Sequence, residues 1–255
     1  MESGEPQTED SGKQISAGLT GQNSSGKAPK ILLLLLFPLL AGIASWALAE
    51  QTGNLAQVPL EISSKNYQFA ELNAATIKVN VINGALIYGG LGLLVSLAIV
   101  LAVVASGAGS GRIPVSLIMA ILLGILGGAL PCLVVMPLQY QSRNDDPSVL
   151  DLTMPLVYHA GLWLPLGLAA GLAFGYARTA SLKAGMSEAV NGLVGALIGT
   201  LFYEFIGAIL LPMDKTVEPV AATPQARMLA HLSVATGIAL CIAYSLKSQK
   251  KPASE

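Results

Sequence analysis

Glu204 lies inside the apolar run VNGLVGALIGTLFYEFIGAILLPM, eight residues before Pro212. On a helix, that places it about 12 Å from the end of the run. An ionised carboxylate at such depth costs roughly 2–3 kcal/mol or more against lipid. It must therefore face other helices, and be either protonated or paired. One chemistry this permits is a proton or cation site. The other is a hydrogen bond or ion pair that only ties helices together.

The groups that could join it are few. Tyr203 precedes it and Thr200 lies one turn before. His159 falls near the outer end of an earlier apolar run. Arg227 and His231, four residues apart, share a face near the outer end of the last one. Imidazole and carboxylate at one depth could relay a proton or hold a divalent ion. No motif spacing ties these residues together, and the metal, if any, is undefined. Ser-His-Asp, H-E-x-x-H and phosphate-loop patterns are missing from the sequence, and nothing calls for an organic cofactor. An enzyme is the weakest reading, for want of a nucleophile–base pair.

A second set of residues has geometry rather than reactivity. Gly167, Gly171 and Gly175 recur every fourth position, as do Gly195 with Gly199 and Gly124 with Gly128. Residues four apart lie on one helix face. Such a face is nearly bare backbone and lets another helix approach closely, the fit that drives packing in lipid. This glycine-zipper pattern serves either packing within the chain or an interface with a second copy or another membrane protein.

The elements that must position these residues are membrane helices. Hydrophobic residues make up 53% of the chain and charged ones 11%, against about 25% charged in a soluble domain. There are too few charges to solvate a globular surface. The net charge of −1 gives no argument for nucleic acid. Residues 1–30 are polar and read as a disordered tail. Residues 31–49 form a first span, or a signal peptide ending at Ala47-Leu48-Ala49. A polar segment, 50–80, follows, whose end already belongs to a helix starting near Ala70. Residues 81–246 then supply five spans at about 81–105, 113–138, 155–177, 189–211 and 228–246, before the basic tail 247–255. The expected fold is an all-α bundle of six transmembrane helices in the lipid bilayer. Trp46 and Trp163 fall towards the outer ends of their helices, as an interfacial belt would place them. Cys132 and Cys241 lie at opposite ends and are too far apart to bridge.

Orientation follows the positive charges. With the N-terminus inside, nine of the 14 Lys and Arg are inside and five outside. That puts both termini in the cytoplasm. A shift of 75 residues lays Gly92 on Gly167, Gly124 on Gly199 and Pro137 on Pro212. It relates spans two and three to spans four and five as a parallel repeat, an arrangement some transporters use. The alternative is that two hairpins rich in small residues look alike.

In YEFIGAILLPMDKTVEPVAATPQARMLAHL and the earlier HAGLWLPLGLAAGLAFG, the chain resembles an uncharacterised family of multi-pass membrane proteins associated with planctomycete bacteria. The resemblance covers residues 80–246. It rests on the order of His159, the glycine helix, Tyr203-Glu204, Gly207 and the Lys215…Glu218-Pro219 loop. It implies a bacterial cytoplasmic-membrane protein and adds no activity. Two function classes follow from the residues: a binding or structural membrane protein, and a small-solute or ion transporter using Glu204. A water-filled path to Glu204 distinguishes them.

Overall fold

The structure is a computed structural model. It describes residues 28–52, 55–60, 62, 69–107, 109, 111–145, 153–212, 214, 216 and 218–248. The N-terminal tail, much of the segment before the second span, the loop after the third, Lys215 and most of the basic tail fall outside these residues.

Among the described residues, seven helices make up the bundle: α1 (Ala28–Thr52), α2 (Phe69–Ala105), α3 (Ile113–Ala129), α4 (Cys132–Asp145), α5 (Thr153–Thr179), α6 (Leu182–Leu210) and α7 (Pro224–Ser248). They form six stretches long and apolar enough to cross a bilayer, with α3 and α4 counted as one. No strand occurs among the described residues. The chain is thus an all-α, multi-pass membrane protein, as its apolar runs require.

The starts of several helices have a local cause. Ser181 caps α6 by accepting the amide of Ala184, and Thr223 caps α7 by accepting that of Ala226 at 3.3 Å. Pro224 takes the first position of α7, where its missing N–H costs nothing. The third span breaks at Pro131. Proline has no N–H for the carbonyl of Gly127 and crowds it, so the chain turns there and restarts as α4. α2 begins at Phe69, as its sequence suggests, and its 37 residues reach about 55 Å. That exceeds the ~30 Å hydrocarbon core. Beyond the core it runs beside α4, where the Tyr140 hydroxyl donates to Asn73 Oδ1 at 2.6 Å.

Helices alternate between outside and inside. α2, α5 and α7 touch one another at the centre, while α1, α3 and α6 each lie in the groove between two of them. Burial follows: 67%, 56% and 61% of the central apolar windows are buried, against 28%, 28% and 33% of the peripheral ones. An even number of spans brings the start of α1 and the end of α7 to one end of the bundle. The opposite end carries the α6–α7 connection.

The glycines allow this closeness. A methyl at Gly92 or Gly128 would strike the carbonyls of Gly124 and Tyr88, so α2 and α3 meet backbone to backbone. Gly167, Gly171 and Gly175 meet Gly192, Glu188 and Ala184 on α6. A methyl at Gly195 or Gly199 would come within 2.6 Å of the carbonyl of Gly237 or Ser233 on α7. All seven glycines singled out by spacing face helices of the same chain, so a second copy would have to meet a different surface. The 75-residue equivalence does not carry the glycine pairing with it. Gly92 pairs with Gly124, but Gly167 pairs with Gly192 rather than Gly199.

Candidate functional site

The polar residues in the half of the bundle that carries the α6–α7 connection converge on a stretch of backbone. After α6 ends at Leu210, the chain folds back over the bundle as a strap within 211–223, described at 211, 212, 214, 216 and 218–223, before α7 begins. Leu211 closes α6 by donating to the Gly207 carbonyl at 2.9 Å, and Pro212 cannot continue the ladder. Thr223 donates to Asp214 at 3.0 Å and so ties the two ends of the strap together. Within the strap, Thr216, Pro219 and Ala221 are buried.

A backbone buried at a membrane boundary must have its carbonyls satisfied. Side chains from four helices do this. Tyr88 of α2 donates to the Pro219 carbonyl. His159 of α5 donates through Nε2 to Glu218 at 3.1 Å. Tyr203 of α6 donates to Thr216 at 3.3 Å. Arg227 of α7 donates to Ala221 and Ala222 at 2.8 and 3.1 Å. The other nitrogens of Arg227 hold both oxygens of Glu50 on α1, at 2.7 and 2.8 Å. Nearby, Trp46 donates its indole N–H to the Pro224 carbonyl at 3.0 Å.

Glu204 faces inwards, towards α5, and pairs with His159 Nδ1. The imidazole is 1% exposed and the carboxylate 17%. His159 therefore has an acceptor at each nitrogen. The Nε2 proton is required by a carbonyl that can only accept. One further proton sits between Nδ1 and Glu204, on either partner. The pair is net neutral in both forms, which removes the charge cost that Glu204 would pose alone. Trp163 and Tyr203 wall the imidazole, with ring centroids 4.9 and 5.0 Å from it, and both are fully buried.

The structure divides the residues read from sequence into separate groups. His159 and Tyr203 stand with Glu204. Arg227 does not: it belongs to Glu50 and the strap. His231 is buried on α7, beside α1, and its Nδ1 has no hydrogen-bond partner among the described residues. Same-depth placement could not separate these, because depth fixes a level in the bilayer and not an azimuth. Trp163 is not in an interfacial belt. It lies in the core, because α5 is a central helix with little lipid-facing surface. Among the described residues, no three His, Cys, Asp or Glu side chains gather as a metal would need. Cys132 and Cys241 are unbridged.

Glu204 is also not the only inward carboxylate. Glu188, nearer the other end of α6, is more deeply buried at 3%. Its Oε2 accepts from Ser245 of α7 at 2.7 Å and from Asn191 at 3.0 Å. Arg178 of α5 approaches its other oxygen at 3.7 Å. Its position six residues into α6 looks like a loop-end charge in the sequence, so its burial has no signal there. Two cavities adjoin these groups. One of about 300 Å³ lies under the strap, lined by Asn80, Asn83, Gln139, Glu218 and Arg227 among others. One of about 450 Å³ lies at the α5–α6 turn. Neither includes Glu204 or His159 in its lining. The chain matches no family model, no curated protein and no solved structure.

Proposed function

We propose that the protein is a binding or structural membrane protein, a closed bundle that displays the 211–223 strap and the projecting ends of α2 and α4 to a partner. In this reading Glu204 is a latch: it orients His159, and His159 holds the strap. The observation that carries it is the full engagement of His159, one nitrogen on Glu204 and the other on the Glu218 carbonyl. A proton relay needs a group that can turn to a second partner, and this imidazole is walled by Trp163 and Tyr203. The positive-charge distribution supports a cytoplasmic location for both termini, with the strap on the opposite side.

The alternative, an ion or small-solute carrier working through Glu204, is tested directly. Purified protein in sealed vesicles with a pH-sensitive dye inside is given an imposed proton, sodium or potassium gradient. Vesicles with protein should leak no faster than empty ones. Flux in the native protein that Glu204→Gln abolishes would establish the carrier reading instead.

A further inference from the structure

The larger cavity lies at the end of the bundle opposite the strap. Its volume is about 450 Å³, and it opens between the last turn of α5 and the first turns of α6. Both helices are spans that end here, so the cavity sits at the boundary between hydrocarbon and water. Arg178 and Lys183 stand on its wall with the hydroxyls of Ser181 and Ser187. The Ser181 oxygen accepts the amide of Ala184, which leaves its hydroxyl proton to donate outward.

The wall also carries one carboxylate, Glu188. Its oxygens are directed to Ser245, Asn191 and Arg178, so its charge is already offset by donors from three helices. Arg178 is shared with Glu188, so the wall carries a surplus of one positive charge, which makes the cavity a poor host for a metal ion and a suitable one for an anion. A guanidinium, an ammonium and hydroxyl donors around one space match the oxygens of a phosphate. The surroundings have the same sign: Lys30 and Arg112, both exposed, lie on or next to helix ends at this end of the bundle.

We propose that this cavity binds the phosphate group of an anionic ligand through Arg178 and Lys183. At that depth, one source is the headgroup of an anionic phospholipid; the other is free phosphate from solution. The proposal is independent of the role assigned to Glu204, which lies at the other end of α6.

The test uses the full-length protein purified from vesicles of equal phosphatidylglycerol and phosphatidylcholine, with retained lipid counted by native mass spectrometry. A parallel arm follows thermal unfolding in detergent with inorganic phosphate added. Lys183→Gln alters only an exposed side chain, so its fold is safe, and Arg178→Gln is the second variant. The native protein should retain phosphatidylglycerol over phosphatidylcholine. Lys183→Gln should reduce that preference about fivefold, roughly what one basic side chain contributes near an anionic surface. Lipid preference without a phosphate effect assigns the headgroup. Stabilisation by inorganic phosphate that Lys183→Gln removes assigns the free ion. Equal retention of both lipids with no phosphate effect would overturn the proposal. So would a preference that Lys183→Gln leaves unchanged.

Discussion

Arg227 holds Glu50 through two bonds of 2.7 and 2.8 Å, joining residues 177 positions apart. The fork-on-fork geometry fixes α1 against α7, and the same guanidinium grips the strap at Ala221 and Ala222. A lysine cannot reproduce it, because an ammonium lacks the planar pair of donors. Arg227→Lys and Glu50→Gln should each destabilise the bundle. Both groups are about a quarter exposed or less. The double variant should reveal a coupling of about 1–3 kcal/mol in detergent unfolding. Strict additivity of the two single changes would show that the pair contributes nothing.

The same contact bears on Ala47-Leu48-Ala49. Those residues lie inside continuous α1, and Ala49 is buried at 3%. Trp46 is bonded to Pro224 and Glu50 to Arg227. α1 is thus part of the bundle, and a peptidase would have to unwind it to reach the bond after Ala49. The intact mass of purified protein should include the residues before Glu50. A mature N-terminus at Glu50 would contradict this packing.

Loosening the latch should free the strap. Glu204→Gln keeps a hydrogen-bonding partner for His159, whereas Glu204→Ala leaves Nδ1 with none. His159→Ala removes the bond to Glu218 as well. Trypsin cleavage after Lys215 should therefore rise in the order native, Glu204→Gln, Glu204→Ala, His159→Ala. The cost of each lost bond should be near 1 kcal/mol. Equal cleavage across the series would mean that the strap is held without His159.

Glycine substitutions separate close backbone contact from helix content. At Gly171 a methyl would overlap the Glu188 carbonyl, which is backbone and cannot move aside cheaply. Gly171→Ala should cost about 1–3 kcal/mol. At Gly90 the nearest atom is a methyl of Leu48 at 3.6 Å, an ordinary contact. Gly90→Ala should be neutral, or stabilise by up to about 1 kcal/mol through helix propensity. Thermal unfolding of the two variants in one detergent checks the contrast, and a reversed order would count against the packing.

Ala180 adopts φ of +55° in the turn between α5 and α6, a region that favours glycine. Ala180→Gly should relieve about 1 kcal/mol of backbone strain, less what the unfolded chain gains in freedom. A raised midpoint in the same unfolding assay is the expected result. A lowered one would mean that the turn is not under strain.

The spans were legible because apolar length alone defines them, and the glycine faces because four-residue spacing marks one side of a helix. The inward turn of Glu204 followed from the cost of an exposed carboxylate, but not which helix it would meet, since sequence fixes depth and not the neighbour. What remained hidden were contacts with backbone. The acceptors on Thr216, Glu218, Pro219, Ala221 and Ala222 are carbonyls, which every residue has, so no side-chain pattern announces the strap. Tyr88 looks like one more aromatic in an apolar helix until its hydroxyl finds Pro219. The break at Pro131 carried a visible signal, but a single proline in a membrane span is also tolerated without one. Arg227 and His231 share a helix face by spacing, yet differ in neighbours, because the strap reaches only the first turn of α7.

The in-and-out order of the helices has an electrical consequence. Successive spans run in opposite directions, so each peripheral helix lies antiparallel to both central helices it touches. Each helix carries a dipole equivalent to about half a charge at either end, and in hydrocarbon little screens it. Antiparallel neighbours cancel these dipoles along the extensive contacts, such as α5 with α6 and α2 with α3. Parallel neighbours meet only across the centre, where α2, α5 and α7 have much sparser contact. With three spans running each way, the dipoles of the bundle as a whole balance, and neither end presents a strong pole. The strap is therefore held by the hydrogen bonds of Tyr88, His159, Tyr203 and Arg227, with no help from a field at its end of the bundle.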